Sequence, residues 1–206
     1  MLVKDYVVQL EIAGPAAMFT RPDTGATPIS YPVPTYSAAK GMFEAVARYK
    51  SAYIRPTKVE ICKPIRFEKY VTNYGGPLRK TNQIAAEASY QLPATILVDV
   101  CFRVHGIVEE IGSAPNGNNH LHALQEIFLR RLRKGQTYYT PVLGWKEFVP
   151  SYFGTARECD TVVQKDINLT IPSLLHTVFD RSEDGMYNPV FRQDVKICEG
   201  VLYYAK

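Results

Sequence analysis

Three stretches of the chain carry the hydrophobic pattern of β-strands. Residues 3–12 (VKDYVVQLEI) and 57–71 (TKVEICKPIRFEKYV) alternate between apolar and polar positions with a partial period of two. Residues 94–108 (ATILVDVCFRVHGIV) form a longer run that is rich in β-branched side chains. These patterns predict three strands, and Pro64 places the middle of the second at a sheet edge or a bulge. Residues 14–35, rich in Gly, Pro and Thr, predict an irregular segment.

Apolar residues at helical spacing predict a first helix between the first two strands. Thr35 or Ser37 can cap its start, with Pro34 just outside it, and the helix runs to about Tyr49. Its predicted core positions are Met42, Phe43, Val46 and Tyr49. The expected role of these four side chains is to pack against the sheet.

A second helix is predicted for residues 119–134. Asn118 or Asn119 can cap its start, and Gly135 follows its last turn, as expected for the residue after a helix C-cap. Its apolar stripe consists of Leu121, Leu124, Phe128 and Leu132. This stripe must face the sheet.

The order of these elements predicts an α+β fold. With residues 137–149 as extended chain and turn, the order is strand, helix, strand, strand, helix, strand, which is the ferredoxin-like (RRM-like, split βαβ) motif. We therefore expect a ferredoxin-like domain over residues 1–150. Short β-like pieces in residues 160–171, 188–197 and 200–206 predict a small antiparallel β-sheet domain over residues 151–206.

Composition and charge exclude several classes of protein. The chain has 206 residues, 46% of them hydrophobic, and a net charge of +4, as an ordinary globular protein does. No apolar run approaches the roughly 18 residues that a membrane-spanning helix needs, so no membrane partner is expected. The four cysteines are scattered without a CxxC pair, which favours reduced thiols in a cytoplasmic protein without a structural zinc ion. We expect no cofactor.

The charged residues of the second helix are concentrated at its two ends. His120 and His122 lie in the first turn, where the helix dipole disfavours a charged imidazole and keeps the ring able to accept a proton. The last turn carries four cations: Arg130, Arg131, Arg133 and Lys134. Cations at this end also offset the helix dipole, and a surface histidine can simply be solvated. Four cations exceed what capping requires, and a phosphate backbone is the expected partner for the surplus.

Three motifs resemble a known protein family. They are AMFTRPDTGATPISYPVPTYSAAKGMFEA, CKPIRFEKYVTNYGG and FLRRLRKGQTYYTPVLGWKEF. In this order, over about residues 3–160, they are similar to the CRISPR-associated Cas-five proteins of the Dvulg (I-C) subtype, which belong to the RAMP superfamily. The stretch YPVPT with its AKG sequel, and LGxKE after an arginine-rich helix, are the specific features.

The resemblance implies a function in antiviral defence. Its implied activity is a metal-independent endonuclease that cuts precursor CRISPR RNA within the repeat and stays on the 5′ handle of the guide RNA as a Cascade subunit. In such a reaction the ribose 2′-OH attacks its own 3′-phosphate and leaves a 2′,3′-cyclic phosphate. The protein must supply a base, a cation for the developing charge and an in-line geometry. RNA that lacks the 2′-OH at the cut should therefore be inert.

The family's catalytic set is a tyrosine late in the first helix and a Lys-His pair at the start of the second. Aligned without gaps, the tyrosine position holds Ala47, and Tyr49 is the nearby candidate. A shift of one helical turn places His120 at the histidine, with His122 as the alternative. The lysine could be supplied by Lys40, Lys50 or Lys134.

Further RNA contacts and two other functions remain open from the sequence. The candidate RNA-binding residues outside the second helix are Lys40, Arg21, Arg79 and Lys80. Because the catalytic set is incomplete, a non-catalytic scaffold that binds the guide RNA within Cascade is an alternative. A generic RNA-binding protein outside CRISPR is another. Nonspecific binding of duplex DNA is also open.

Overall fold

The computed structural model describes residues 5–25, 27–74, 80–86, 90–111, 119–179 and 186–205. Its central feature is an eight-stranded sheet with helices packed against it. The elements are β1 (Val7–Ala17), α1 (Tyr36–Val46), β2 (Ala52–Ile61), β3 (Phe67–Tyr74), α2 (Thr81–Ala85), β4 (Tyr90–Glu110), α3 (His120–Arg133), β5 (Tyr152–Gly154), β6 (Leu169–Phe179), β7 (Tyr187–Cys198) and β8 (Val201–Tyr203). The predicted α+β class is confirmed.

The long strand β4 organises the sheet. The strand order is β5-β1-β4-β2-β8-β7-β6, and β3 pairs with the first half of β4. All pairings between these strands are antiparallel. The β6–β7 hairpin joins the sheet through β8, which pairs with β2. Strands from both sides of residue 150 thus form one sheet, and the division into two domains stays a prediction.

Helix α3 forms as predicted. Asn119 caps it by accepting a hydrogen bond from the His122 amide at 3.0 Å, and Gly135 adopts a φ of 63° just after it. Three of the four predicted stripe residues are buried, and Leu121 packs against the same core. The Phe128 ring meets the Phe43 ring of α1, with centroids 5.7 Å apart. The stripe therefore faces the sheet and α1.

Helix α1 starts as predicted and ends earlier. The Thr35 side chain accepts a hydrogen bond from the Ala38 amide at 3.2 Å. The prediction that the helix runs to Tyr49 is wrong, because α1 ends at Val46 and Ala47 is extended. The last carbonyls of α1 are already satisfied there: that of Val46 accepts from Arg131 at 3.0 Å.

Four strand predictions need correction. The segment that begins at residue 14 was predicted to be irregular, but β1 continues to Ala17. The strand tolerates Pro15 because β5 pairs with β1 only as far as residue 13, so Pro15 faces no partner strand on that side. Residues 57–71 belong to two strands, because Pro64 lies in a break between β2 and β3. In residues 137–149, all of which the structure describes, no strand forms, and β5 pairs with β1 instead. The predicted piece 160–171 is wrong over residues 160–168, which form no strand, and it stops short of residues 172–179, because the edge strand β6 runs from Leu169 to Phe179.

A row of buried charges fixes the segment after β5 to the sheet. Glu11 of β1 and Glu60 of β2 lie on either side of Arg103 of β4, directly across the strands. Arg103 donates to Glu60 at 3.1 Å and to the Thr161 carbonyl at 3.0 Å. Arg157 donates to the fully buried Glu11 from its backbone amide, at 2.9 Å, and from its side chain, at 2.8 Å. These bonds satisfy charges that would be costly to bury unpaired.

Two tyrosine hydrogen bonds join the C-terminal strands to the loop before α1, one at Leu175 of β6 and one just after β8. The Tyr204 hydroxyl donates to the Pro34 carbonyl at 2.9 Å, and the Tyr31 hydroxyl accepts from the Leu175 amide at 3.1 Å. The β6–β7 hairpin is thereby held beside the start of α1. Among the helices that the structure describes, none is long and apolar enough to cross a membrane.

Candidate active site

An open cleft of about 610 Å³ lies between α1, the paired ends of β2 and β4, and the β6–β7 hairpin. Its charged lining comprises Lys40, Arg55, Glu109, Glu110 and Arg192. Its aromatic lining includes Tyr36, Tyr53 and His176. The combination of cations, aromatic rings and titratable groups suits an RNA strand, whose phosphates and bases need both kinds of contact.

Tyr53 reaches the cleft because it pairs with Glu109 across β2 and β4. Its hydroxyl donates to Glu109 Oε2 at 2.9 Å, and Arg55 Nε donates to Glu109 Oε1 at 2.6 Å. Burial, followed by the hydrogen bond to Glu109, raises the pKa of Tyr53 above its ordinary value. The phenol therefore keeps its proton near neutral pH and can act as a hydrogen-bond donor.

Helix α1 contributes one wall of the cleft. Tyr36 and Lys40 are four residues apart, so they lie on the same side of the helix. The Lys40 ammonium lies 5.2 Å from the centroid of the Tyr53 ring, within the range of a cation–π interaction. The Tyr36 ring stacks on His176, with centroids 4.2 Å apart. Helix α1 thus places the Lys40 cation beside the Tyr53 ring and holds His176 of β6 against Tyr36.

His120 lies directly behind this cleft. The residue is only 4% exposed, and its Nε2 is 3.4 Å from Oε1 of Glu110, a residue of the cleft wall. The contact lacks hydrogen-bond geometry, and neither ring nitrogen has a hydrogen-bond partner among the described residues. Buried polar atoms are normally satisfied, so an unsatisfied imidazole next to a cleft is a functional feature to explain.

His122 and Tyr49 lie away from the cleft. His122 is exposed, about 200° around α3 from His120, and its ring lies 5.9 Å from that of Tyr6. Tyr49 follows the end of α1 and packs against the core; it is absent from the described lining of the cleft. The structure thus brings His120 and Lys40 to one region and leaves the other two candidates outside it.

The cations of α3 form a separate surface. Arg130, Arg133 and Lys134 are exposed, whereas Arg131 is partly buried and donates to the Val46 carbonyl. Arg130 lies ten residues from His120, which is about 15 Å along the helix axis. An RNA strand would have to extend beyond the cleft to contact this surface.

Of the remaining predicted RNA-binding residues, Arg21 and Lys80 do not line the cleft. Arg21 is paired with Asp23 at 2.7 Å on the surface, where the pair contributes little. Lys80 is exposed and precedes α2, and Arg79 lies outside the described residues. Within the described residues, no group of three or more His, Cys, Asp or Glu side chains is placed to hold a metal ion.

Sequence reasoning missed several residues of the cleft. His176 lies on the edge strand β6 and lines the cleft, and the sequence did not single it out. Tyr53, Arg55 and Arg192 were not selected either. The pairing of β2 with β4 brings Tyr53 and Glu109 together across 56 positions, and no local pattern carries that information.

Comparisons with known proteins agree on one family. The chain matches the family described as "CRISPR-associated protein (Cas_Cas5)", Cas_Cas5d, over residues 7–188. It is 31% identical over 149 residues to the "CRISPR pre-crRNA endoribonuclease Cas5d" of Thermus thermophilus, a match that covers 71% of this chain and 62% of the relative. It is 27% identical over 212 residues to the protein of the same description from Mannheimia succiniciproducens, covering 92% and 91%.

Two solved structures share the fold. One, described as "Crystal Structure of CRISPR-associated Protein", superposes with a TM-score of 0.68 at 18% identity, covering 97% of this chain and 92% of that one. Another, "CRISPR RNA-guided surveillance complex", has a TM-score of 0.55 at 19% identity, with coverage of 96% and 89%. At these identities the likeness concerns the fold alone.

Proposed function

The chain belongs to the Cas_Cas5d family of CRISPR-associated proteins, and from this premise we propose that it is an endoribonuclease that cleaves precursor CRISPR RNA within the repeat. After cleavage it stays bound to the 5′ handle of the guide RNA as a Cascade subunit, in the cytoplasm of a prokaryotic cell. Family membership removes the alternative of a generic RNA-binding protein outside CRISPR.

The observation that carries this proposal is the position of His120. A buried imidazole without a hydrogen-bond partner among the described residues lies behind a cleft lined by Lys40 and Tyr53. Cleavage by the ribose 2′-OH needs a proton acceptor, a proton donor and a cation. These three residues provide one group for each role.

We assign the roles by the chemistry of each side chain. His120 accepts the proton of the attacking 2′-OH once the Glu110 side chain, which is 59% exposed, swings aside from Nε2, and the carboxylate stays near enough to stabilise the imidazolium that forms. Lys40 stabilises the negative charge that develops on the phosphate oxygens. Tyr53 donates its proton to the departing 5′ oxygen, and it takes the place that the sequence assigned to Tyr49. The 2′ oxygen then bonds to phosphorus, the bond to the 5′ oxygen breaks, and a cyclic phosphate and a 5′-OH remain.

The strand order supports a finer description of the fold. Four strands lie in the order β5-β1-β4-β2 in the sheet, and along the chain α1 connects β1 to β2 and α3 connects β4 to β5. This is the order expected of a ferredoxin-like split βαβ unit. The cleft lies at the junction of this unit with the β6–β7 hairpin. We propose that the hairpin, as part of a C-terminal unit over residues 151–206, closes one side of the RNA-binding cleft.

A non-catalytic scaffold of Cascade is the second candidate. Two observations favour it: His120 is almost fully buried, and a buried alanine, Ala47, occupies the tyrosine position of the family motif. In this case the cleft and the cations of α3 bind the guide RNA, and another protein cuts it.

One assay separates the two candidates. Purified protein is incubated with its own repeat RNA in EDTA, and the product ends are determined. A discrete product with a 2′,3′-cyclic phosphate, abolished by a 2′-deoxy residue at the cut and by His120→Ala, supports the endoribonuclease. His122→Ala is the matched control and should cleave at the wild-type rate. Binding without product by the wild-type protein would refute the proposal and favour the scaffold.

A further inference from the structure

Two exposed tyrosines follow the end of α3. Tyr138 is 62% exposed and Tyr139 is 43% exposed, and their rings meet edge to face with centroids 6.1 Å apart. Neither belongs to the cleft described above. Large aromatic side chains on a surface mark contact sites more often than single aliphatic ones do. We call Tyr138 and Tyr139 the tyrosine platform.

The tyrosine platform is held in place by α1. The amides of Tyr138 and Tyr139 donate to the Ala45 carbonyl at 2.6 and 3.3 Å. The Tyr139 hydroxyl donates to the Gly41 carbonyl at 3.1 Å. Because hydrogen bonds to α1 already fix the backbone of Tyr138, binding of a ligand to its ring costs little further conformational entropy.

Exposed cations lie on the chain segments next to the tyrosine platform. Arg131 donates to the carbonyl of Val46, the residue after Ala45, so the end of α3 and the platform are attached to adjacent residues of α1. Arg133 and Lys134, both exposed, precede Tyr138 by five and four residues, so the cations at the end of α3 are close to the platform along the chain. Burial and then the Glu44 carboxylate raise the pKa of Tyr139, and the exposed Arg48 is close enough to oppose them.

We propose that the tyrosine platform is a second RNA-binding site, where Tyr138 stacks on an unpaired base while the end of α3 binds the flanking phosphates. Single-stranded RNA is bound elsewhere by the same combination of an aromatic face and a basic groove. A protein partner that used the tyrosines as an apolar contact would have to desolvate the neighbouring cations, at a cost. An RNA strand instead neutralises them.

The site lies within reach of an RNA strand that occupies the cleft. Lys40 of the cleft and Ala45, which holds the platform, are separated by about 7.5 Å along the axis of α1 and by about 140° around it. The inference rests on the proposed function, because it takes the cleft as the site where the repeat RNA is cut. It adds a base contact and a direction: the strand leaves the cleft along α1 toward its C-terminal end.

The test is a binding measurement that needs no cleavage. Fluorescein-labelled repeat RNA is titrated with the full chain, and its affinity is read by anisotropy, with RNA integrity followed on a denaturing gel. Tyr138→Ala should raise Kd about tenfold, in the range for loss of one base–aromatic stack. Tyr138→Phe should keep the wild-type Kd within about twofold, because the ring remains. Tyr203→Ala is the matched control, since Tyr203 is 69% exposed on β8.

A second readout identifies stacking directly. In repeat RNA with 2-aminopurine at successive unpaired positions, one position should be quenched by the wild-type protein and by Tyr138→Phe, and not by Tyr138→Ala. Equal Kd values for Tyr138→Ala and wild type, or quenching that survives Tyr138→Ala, would overturn the platform. If the wild-type protein binds with these signatures but does not cleave, the proposed function fails and the platform stands.

Discussion

The Glu110 carboxylate lies against the buried imidazole of His120, with Oε1 3.4 Å from Nε2. Glu110 lines the cleft and is largely exposed, whereas His120 is inaccessible behind it. The carboxylate thus separates the ring from the cleft and can stabilise the imidazolium that forms when His120 accepts a proton. The sequence placed His120 at the start of α3, and the end of β4 supplies the carboxylate that lies beside it.

Glu110→Gln should slow cleavage without unfolding the protein. The amide keeps the size of the side chain but removes the negative charge that stabilises a protonated His120. A fall in the single-turnover rate of about tenfold is expected, because one charge–charge contact at a partly exposed site is lost. Glu126→Gln, an exposed carboxylate elsewhere on α3, is the control. Equal rates for the two variants would remove Glu110 from the mechanism.

Tyr53→Phe should reduce cleavage far more than Tyr49→Phe. Loss of the phenol proton removes the proposed acid, which corresponds to about 10²-fold or more in rate. Tyr49→Phe should cleave as the wild type does, because that ring packs against the core outside the cleft. Single-turnover rates at saturating protein make the comparison. The opposite ranking would return the catalytic tyrosine to the end of α1, as the sequence alone suggested.

Arg131 and Arg130 should differ in what they stabilise. Arg131→Ala removes the hydrogen bond to the Val46 carbonyl and should lower the free energy of unfolding by about 1 kcal/mol, measured by urea denaturation. Arg130→Ala should leave unfolding unchanged and weaken RNA binding, with the slope of log Kd against log salt reduced by about 1. If Arg131→Ala lowers RNA affinity without affecting stability, the structural role assigned to it is wrong.

The buried charges should make stability fall in acid. Burial alone would raise the pKa of Glu11, but hydrogen bonds from the Arg157 amide, Thr161 and the Arg157 side chain outweigh it and lower the pKa below 4.5. Because the folded-state pKa is the lower one, this stabilisation is present above pH 4.5 and is lost as pH falls through the folded-state value. The pKa of Glu60 is lowered as well, so it acts in the same direction.

Glu11→Gln tests this linkage. The variant leaves Arg157 without its carboxylate partner, and the free energy of unfolding at pH 7 should fall by about 3 kcal/mol, as for other broken buried pairs. The difference from wild type should shrink as pH drops below 4.5, where the wild-type carboxylate also becomes protonated. Urea denaturation at several pH values measures it. A difference independent of pH would mean that packing, and not charge, stabilises the site.

The sequence determined helix α3, the start of α1 and the family. The Asn119 cap, the apolar stripe and Gly135 act within a few residues of one another, so a linear pattern suffices to locate them. The predicted end of α1 was wrong because Arg131, whose side chain caps the helix at Val46, lies 85 positions away in the sequence. Strand ends at Ala17 and at residue 152 were likewise decided by which neighbouring strand was available to pair.

The candidate site shows the same division. The sequence placed His120 and Lys40 on two helices, because each is part of a local helical pattern. Only the tertiary structure decided that Tyr53 meets Glu109, that His176 stacks on Tyr36, and that His122 and Tyr49 lie elsewhere. These contacts depend on strand register and on how the hairpin packs against α1. Both arise from interactions between distant residues, which no local pattern of hydrophobic and polar positions encodes.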